Sequence, residues 1–391
     1  MVAFAMAATA SGQTPAMARL DPPAGPGSMG VNLARSGDSV IVSWLEPATA
    51  KTKPSDENPS YALRFSRLES GAWTAPVTIT SGTDFFLNWA DIPSVVDAGN
   101  GKLAAHWAIK TGAMAYDIGI ARSEDGGKTW KKLGKLNEDT TSSEHGFVSL
   151  LADRGQLRAF WLDGQERKGE RGAQTLRTAV IGDKPGAGER LDERVCDCCH
   201  TSSAATADGP IVVYRDRSDD DVRDIAIVRR TQKGWTKPKL IASDGWHIAG
   251  CPVNGPAAAA ADKTVAVAWF TAARDKLKVE VAFSTDAGAS FGNPIVVDAT
   301  GPLGRVGVAL DGADAIVLWA ATEGASPTIR LRRVSPSGKL GSPVAVAPTS
   351  AARTNGFPHI QRVGENLIVA WLEASEPTRV HAATLATASV Q

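Results

Sequence analysis

The segment Val40-Ile41-Val42-Ser43-Trp44 is a short apolar strand that ends on an aromatic residue, and this pattern recurs along the whole chain. An apolar strand and a turn containing Gly, Asp or Asn precede it in each copy. A spacing of 50 to 63 residues between copies indicates a repeat fold in which each copy is one supersecondary unit. The six later copies end at Trp107, Trp161, Tyr214, Trp269, Trp319 and Trp371.

Two further strands follow the aromatic residue in each unit. The third strand alternates polar and apolar residues, as in residues 61–65 (Tyr-Ala-Leu-Arg-Phe) and 279–283 (Val-Glu-Val-Ala-Phe). The fourth often begins after a proline such as Pro76, which fits an edge strand because no ladder bond needs the missing N–H. Four antiparallel strands in about fifty residues are typical of a propeller blade. The sequence therefore predicts an all-β, seven-bladed β-propeller.

The two ends of the chain predict how the ring closes. The last unit stops after its third strand, residues 380–384 (Val-His-Ala-Ala-Thr). Residues 18–21 (Ala-Arg-Leu-Asp) precede the first unit, at the place that the outer strand holds in other units. We therefore expect the N-terminal strand to complete the seventh blade, which would leave no open sheet edge to pair with another chain.

The N-terminus also bears on location. Residues 1–12 are apolar and small, and Ala8-Thr9-Ala10 is similar to the cleavage site of a secretory signal, although the usual positive charge is missing. We expect a protein exported to the periplasm or the extracellular space, with residues 13–391 forming a single propeller domain. The alternative is the N-terminus of a cytoplasmic protein.

Charge and hydropathy narrow the possible partners. The 42 basic and 42 acidic residues give a formal net charge of zero, so no basic stripe favours nucleic acid or an anionic membrane. No later segment reaches the roughly 20 apolar residues that a membrane-spanning helix needs. We expect a monomer whose partner is a small molecule, a glycan or a metal ion.

Two turns share the motif Ser-x-Asp-x-Gly-x-(Thr/Ser)-aromatic, at residues 123–130 and 284–291. In such a turn the Asp carboxylate can accept hydrogen bonds from backbone N–H groups, and Gly takes a position with positive φ. The motif resembles the Asp-box, or bacterial neuraminidase repeat, of sialidase-like β-propellers. This resemblance implies a propeller over residues 17–391, with the six blades of sialidases as the alternative to seven.

In a propeller, the segments that lead from one blade to the next converge at one mouth of the central channel. All four cysteines and four of the six histidines fall in these segments. Polar groups that converge on a concave mouth are the default hypothesis for a functional site. The segments are residues 28–32, 88–91, 143–146, 196–200, 247–254, 304–305 and 355–359.

Three interpretations of the cysteines remain open. Cys196, Cys198 and Cys199 share one segment, and Cys251 lies at the corresponding place one blade later. Thiolates with an imidazole such as that of His200 suit copper(I) or zinc, which would make the cysteines metal ligands or a redox site. In an exported protein they could form disulfides, for example Cys199 with Cys251 as a staple between adjacent blades. The third interpretation is buried thiols without a chemical role.

The sialidase resemblance also implies a catalytic set, made of three arginines, a tyrosine nucleophile paired with a glutamate, and an aspartate acid–base. Tyr214 and Arg305 match the tyrosine and one arginine, and Asp91 or Glu144 would supply the carboxylates. Asp91 stands, however, where the family's Arg-Ile-Pro motif has its arginine. His145 is a further candidate, because the neighbouring Glu144 can hold its ring in one tautomer.

These patterns support functions of different classes. The first is an exported propeller with a cysteine-rich site for copper(I) or zinc, or for redox chemistry. The second is a glycoside hydrolase of the exo-α-sialidase type. The third is a propeller that binds carbohydrate or protein without catalysis.

Overall fold

The computed structural model of the protein describes residues 17–49, 51–52, 56–167, 172–323, 326–373 and 375–391. Their strands form seven antiparallel sheets, the blades of a β-propeller, and this confirms the all-β, seven-bladed prediction against the six-bladed alternative. No helix in these ranges is long and apolar enough to cross a membrane. The segment predicted to be a secretory signal, residues 1–12, lies outside the described residues.

Each blade runs from its innermost strand outward. After β1 (Ala18–Arg19), blade 1 contains β2 (Met29–Ser36), β3 (Ser39–Pro47), β4 (Tyr61–Glu69), β5 (Ala72–Trp73) and β6 (Val77–Gly82), and blade 2 contains β7 (Ser94–Gly99), β8 (Lys102–Lys110), β9 (Tyr116–Ser123) and β10 (Lys131–Lys135). Blade 3 contains β11 (His145–Asp153), β12 (Gln156–Asp163), β13 (Gln174–Ile181) and β14 (Glu189–Val195), and blade 4 contains β15 (Ser202–Thr206), β16 (Gly209–Arg215), β17 (Ile225–Thr231), β18 (Gly234–Trp235) and β19 (Lys239–Ala242).

The remaining blades follow the same plan. Blade 5 contains β20 (Ala257–Ala261), β21 (Thr264–Thr271), β22 (Lys278–Ser284) and β23 (Ile295–Asp298), blade 6 contains β24 (Pro302–Asp311), β25 (Asp314–Glu323), β26 (Ser326–Val334) and β27 (Val344–Pro348), and blade 7 contains β28 (His359–Val363), β29 (Asn366–Glu373) and β30 (Arg379–Ala386). Three short 3₁₀ segments span Ala273–Asp275, Arg353–Asn355 and Thr387–Ser389.

The innermost strands contact one another in a closed ring, from β2 through β7, β11, β15, β20, β24 and β28 back to β2. Small side chains suit this crowded position, and β20 consists of five consecutive alanines. The apolar core lies between the blades, where side chains from facing sheets form separate clusters. The ring therefore brings the segments that join successive blades to one mouth.

The aromatic residue that marks each repeat lies in the second strand of its blade, with at most 5% of its surface exposed. A buried indole N–H or phenol O–H needs an acceptor. In three blades this acceptor is a carboxylate on, or just after, the outermost strand of the preceding blade, so the hydrogen bond joins two blades. The pairs are Tyr214 with Asp192 (2.5 Å), Trp269 with Asp244 (2.8 Å) and Trp319 with Asp298 (2.7 Å).

The N-terminal strand completes the seventh blade, as the sequence predicts. Ala18 and Arg19 of β1 pair with Thr384 and Ala383 of β30. The Arg19 guanidinium lies over the ring of Trp371, 5.3 Å from its centroid. The outer edge of β30 is thus covered by the other end of the chain.

The two Asp-box turns have the same hydrogen-bond pattern. In the first, the Ser123 hydroxyl donates to Asp125 Oδ1 (2.8 Å) and accepts from the N–H of Gly127 (2.8 Å). The Asp125 carboxylate also accepts from the N–H and the hydroxyl of Thr129, at 2.9 and 2.7 Å. Gly127 has a φ of +91°, which favours glycine. Ser284, Asp286, Gly288 and Ser290 repeat this arrangement in blade 5.

Ring closure gives a first prediction. Removing residues 17–21 should lower Tm by several degrees and cause association, because the edge of β30 loses its partner strand. A chain that begins at Met17 is the matched control. Thermal unfolding and light scattering measure both effects, and equal Tm and equal particle size for the two chains would contradict this role of β1.

The Asp-box gives a second prediction. The hydroxyl of Ser290 is the main cause that lowers the pKa of Asp286 from 3.8 to about 2. Because the pKa is depressed in the folded state, the carboxylate stabilises the fold above about pH 4 and loses this effect as the pH falls toward 2. Asp286→Asn should therefore lower Tm at pH 6 but have little effect near pH 2. Asp38→Asn, in an exposed turn of blade 1, is the control, and a Tm difference that does not change with pH would contradict the assignment.

Candidate functional site

A cavity of about 900 Å³ opens at the mouth of the propeller, over blades 2 to 4. Its walls come from the segments that join successive blades and from the turns between second and third strands. The joining segments contain the residues that the sequence predicts to be functional. The lining residues are Asn88, Trp89, Ala90, Met114, Tyr116, Glu144, Phe147, Arg167, Arg194, Asp197, Cys198, Arg217, Asp219, Asp221, Arg223, Ala249, Gly250, Cys251 and Val253.

Aromatic rings form part of the cavity wall. Tyr116 is at the start of β9, and the ring of Phe86 stacks on it with centroids 4.2 Å apart. Phe147 lies in β11 and has a φ of +53°, which is uncommon for a bulky residue. Such backbone strain clusters at functional sites. The ring of Trp89 also lines the cavity.

Asp91 lies directly behind this wall, with only 6% of its surface exposed. Its Oδ1 accepts a hydrogen bond of 2.8 Å from the N–H of Phe147, whereas its buried Oδ2 has no hydrogen-bond partner among the described residues. Burial raises the pKa of Asp91 to about 7, against the lowering effects of the Phe147 N–H and of the nearby Tyr116 phenol, and the charge of Glu144 raises it further. Gly146 is required beside it, because any Cβ at that position would overlap the carboxylate. Burial, together with the charges of Asp91 and Glu144, also raises the pKa of Tyr116 well above 10.

Glu144 lines the cavity directly. Burial is the main cause that raises its pKa, the charge of Arg167 opposes this shift, and the charge of Asp197 adds to it. The side-chain amide of Gln174 donates to Glu144 Oε2 at 3.3 Å. The sequence-predicted carboxylates Asp91 and Glu144 are thus brought together, with Tyr116 beside both.

The side chains of three other predicted catalytic residues make hydrogen bonds or ion pairs within and between the blades. Tyr214 is fully buried and donates to Asp192 between blades 3 and 4, so it takes the place that tryptophan holds in the other units. Arg305 donates to the backbone carbonyls of residues 350, 351 and 352 at 2.7 to 3.2 Å. His145 is buried between the carboxylates of Asp139 and Asp163, at 3.2 and 3.3 Å. None of the three lines the cavity.

The three side chains therefore lie outside the cavity wall, and their catalytic roles stay predictions. The sequence places Tyr214 and Arg305 near the mouth, but both side chains turn away from it to satisfy groups of neighbouring blades. His145 starts an innermost strand, and its side chain enters blade 3 and not the cavity. Tyr116 is the tyrosine that lines the cavity, and the signal for it in the sequence was its place at the start of a third strand.

The four cysteines form one cluster in the cavity wall. Cys198 and Cys251 form a disulfide with their Cα atoms 6.1 Å apart, so a staple between successive joining segments exists, but through Cys198 and not Cys199. Cys196 and Cys199 are buried free thiols whose sulfurs lie 3.1 Å apart. Burial raises the pKa of the Cys196 thiol, but the hydrogen bond with Cys199 and the charge of Arg223 outweigh it and bring the pKa to about 6.

His200 follows the cysteines in sequence, but its ring packs edge-on against Phe357, with centroids 4.6 Å apart. Burial lowers its pKa to about 3, and the nearby His359 contributes to this shift. Among the described residues, the ligand atoms that converge belong to Cys196, Cys198 and Cys199, all within 4.8 Å of one another. The sequence predicts His200 as an imidazole ligand of this cluster. The structure does not bring its ring into the cluster.

Arginines and carboxylates are matched around the cavity. The Arg217 guanidinium contacts Asp197 at 3.1 Å and Asp221 at 2.8 Å. Arg223 lies 3.5 Å from Asp221, and Arg194 lies 3.4 Å from Asp219. Four arginines and four carboxylates line the cavity in all, so its formal charge is zero.

Comparison with known proteins gives similarity of structure alone. No protein-family model matches this chain, and no curated protein is significantly similar in sequence. A structure of a polysaccharide lyase, a PL25 ulvan lyase bound to -[GlcA(1-4)Rha3S]-, is similar with a TM-score of 0.59 and 11% identity over 95% of each chain. The Penicillium chrysogenum α-L-arabinanase complexed with arabinobiose is similar with a TM-score of 0.52 and 15% identity, over 81% of this chain and 98% of that chain.

A third similar structure is the α-L-arabinofuranosidase Arb93A from Fusarium graminearum in complex with an iminosugar inhibitor. Its TM-score is 0.52 at 12% identity, over 97% of this chain and 99% of that chain. At such low identities these similarities show the β-propeller fold. The resemblance to sialidases stays a prediction from the Asp-box turns.

The burial of Asp91 gives a third prediction. Its pKa is raised from 3.8 to about 7, so the fold is stabilised by the protonated form at low pH and loses this stabilisation as the pH rises through 7. A pKa difference of this size corresponds to as much as about 4 kcal/mol. Asp91→Asn should therefore be more stable than the natural protein at pH 8 and similar to it near pH 4. Urea unfolding at both pH values measures this, and an equal pH dependence in the two proteins would contradict it.

Proposed function

We propose that the protein is a glycan-cleaving enzyme in which Tyr116, paired with the buried Asp91, and Glu144 act on the sugar. The observation that carries this proposal is the Tyr116–Asp91 pair itself. It places a phenol at the wall of the cavity and a carboxylate with a pKa of about 7 directly behind that phenol. Strongly shifted groups in a cleft are candidates for acid–base catalysis.

The walls of the cavity suit a sugar. Binding sites combine aromatic or apolar surface with a few polar groups that fix orientation, and the half-buried Trp89 supplies aromatic surface, with the more deeply buried rings of Tyr116 and Phe147 beside it. The polar groups are matched arginines and carboxylates, which can donate to and accept from sugar hydroxyls. The volume of about 900 Å³ is large enough for more than one sugar ring.

The protonation states assign a role to each group. The raised pKa of Tyr116 keeps its phenol protonated at neutral pH, so it can donate a proton to the departing glycosidic oxygen. Asp91 exchanges protons near pH 7 and can return one to Tyr116. Glu144 is the carboxylate that faces the open cavity, where it can take a proton from a water molecule or from the sugar.

The similar propeller structures support the proposal, since an arabinanase, an arabinofuranosidase and a polysaccharide lyase all act on glycans. The products distinguish hydrolysis from cleavage by elimination. Hydrolysis gives a new reducing end alone, whereas elimination also gives an unsaturated sugar that absorbs ultraviolet light. The exo-α-sialidase activity implied by the Asp-box resemblance is tested by including a sialoside.

The fourth prediction concerns turnover. Assays of reducing ends and ultraviolet absorbance on arabinan, uronate-containing polysaccharides and sialosides should identify a cleaved glycan. On that glycan, Tyr116→Phe and Glu144→Gln should each lower kcat by roughly 10²- to 10⁴-fold, because each removes a proton-transfer group.

The chain offers matched controls for this experiment. Tyr61→Phe removes a phenol from the core of blade 1 and should leave kcat unchanged. Tyr214→Phe tests the tyrosine that the sequence had suggested, and it should affect stability but not kcat. Full turnover in Tyr116→Phe would overturn the mechanism. Binding that depends on Trp89, without cleavage of any glycan, would indicate the non-catalytic propeller.

A further inference from the structure

The four cysteines form a chemical group that the proposed glycan chemistry does not use. The sulfurs of Cys196, Cys198 and Cys199 lie within 4.8 Å of one another, and the sulfur of Cys251 is bonded to that of Cys198. Three sulfurs of one joining segment therefore converge, and the disulfide ties a fourth, from the next joining segment, to one of them. A single structural disulfide would need only two of them.

We propose that this cluster, once the Cys198–Cys251 disulfide is reduced, is a binding site for one thiophilic metal ion, copper(I) or zinc. Thiolates are the protein ligands that select these two ions. This inference goes beyond the proposed glycan cleavage and does not depend on it.

The distances suit a shared ion after small side-chain rotations. Zinc–sulfur bonds are about 2.3 Å long, so two sulfurs on one tetrahedral zinc lie about 3.8 Å apart. The sulfurs of Cys196 and Cys199, at 3.1 Å, need to separate by less than an ångström. Reduction also frees the sulfurs of Cys198 and Cys251, whose Cα atoms are already 6.1 Å apart.

The surroundings of the cluster favour an anionic metal–thiolate group. Arg223 Nη1 lies 3.1 Å from Cys196 Sγ and is itself buried. A metal ion with three or four thiolates has a net negative charge, and an N–H donor to a ligating sulfur stabilises it from outside the ligand set. The backbone N–H of Cys196 donates a hydrogen bond of 3.0 Å to the carbonyl of Arg215 in β16. This hydrogen bond attaches one of the proposed ligands to blade 4.

Access to the site is controlled by the disulfide. Cys198 and Cys251 line the cavity, and Cys251 is exposed, whereas Cys196 and Cys199 are buried behind them. A small dithiol can therefore reach the disulfide: it supplies two electrons and two protons, two protein thiols form, and the dithiol leaves as a cyclic disulfide. The ion then displaces protons from the thiols as it binds.

The fifth prediction compares the two redox states of the full chain without oxygen. One sample keeps the disulfide and two thiols, and the other is reduced with a dithiol, desalted and shown by thiol assay to contain four thiols. Copper(I) is titrated against the chelator bathocuproine disulfonate, and zinc against a chromophoric chelator, in separate arms. The reduced protein should bind one ion per chain at least 100-fold more tightly than the oxidised protein, and the two arms identify the preferred ion.

Variants distinguish metal binding at the cysteine cluster from binding elsewhere on the protein. Cys196→Ser in the reduced state should weaken binding at least tenfold, whereas His200→Asn should have no effect because its ring lies against Phe357. The comparison of oxidised and reduced natural protein needs no variant, so a variant that fails to fold does not remove the test. A reduced four-thiol protein that binds neither ion more tightly than its oxidised form would overturn the proposal. Glycan cleavage measured on metal-free protein tests the other proposal separately.

Discussion

The hydrogen bond from a buried aromatic side chain to a carboxylate of the preceding blade is the interaction on which the ring depends. A buried indole or phenol that lacks an acceptor is costly, by roughly 1–3 kcal/mol. Tyr214, Trp269 and Trp319 each meet this need across a blade boundary. At these three boundaries the hydrogen bonds therefore help to set how one blade lies against the next, which apolar packing alone leaves less defined. With the blades in register, the segments that join them reach the mouth at defined heights.

The propeller scaffold holds a buried carboxylate, that of Asp91, behind the cavity wall. Asp91 is buried behind the aromatic wall, where its Oδ1 accepts a hydrogen bond from the backbone N–H of Phe147. Phe147, whose N–H makes this hydrogen bond, has a φ of +53° and lies at a register shift between β11 and β12. A surface loop would relax away from such strain, but β11 is held on one side by β12 and on the other by the innermost strands of neighbouring blades. The rigid ring thus maintains a carboxylate with the raised pKa that proton transfer near neutral pH requires.

The sulfur cluster and the acid–base group belong to the same cavity but to different parts of its wall. Asp91 and Glu144 come from the segments that enter blades 2 and 3, whereas the cysteines come from those that enter blades 4 and 5. The disulfide also ties two such segments together.

The sequence by itself determined the repeat, the number of blades, the closing strand and the Asp-box turns, because each depends on local patterns such as strand alternation and turn chemistry. It also indicated that Asp91, Glu144 and the four cysteines lie in the segments that join successive blades. Only the tertiary structure decided that Tyr116, and not Tyr214, faces the cavity, and that Cys198, and not Cys199, pairs with Cys251. The physical reason is that the direction of a side chain at the mouth depends on acceptors and backbone torsions in neighbouring blades, which lie about fifty residues away in sequence.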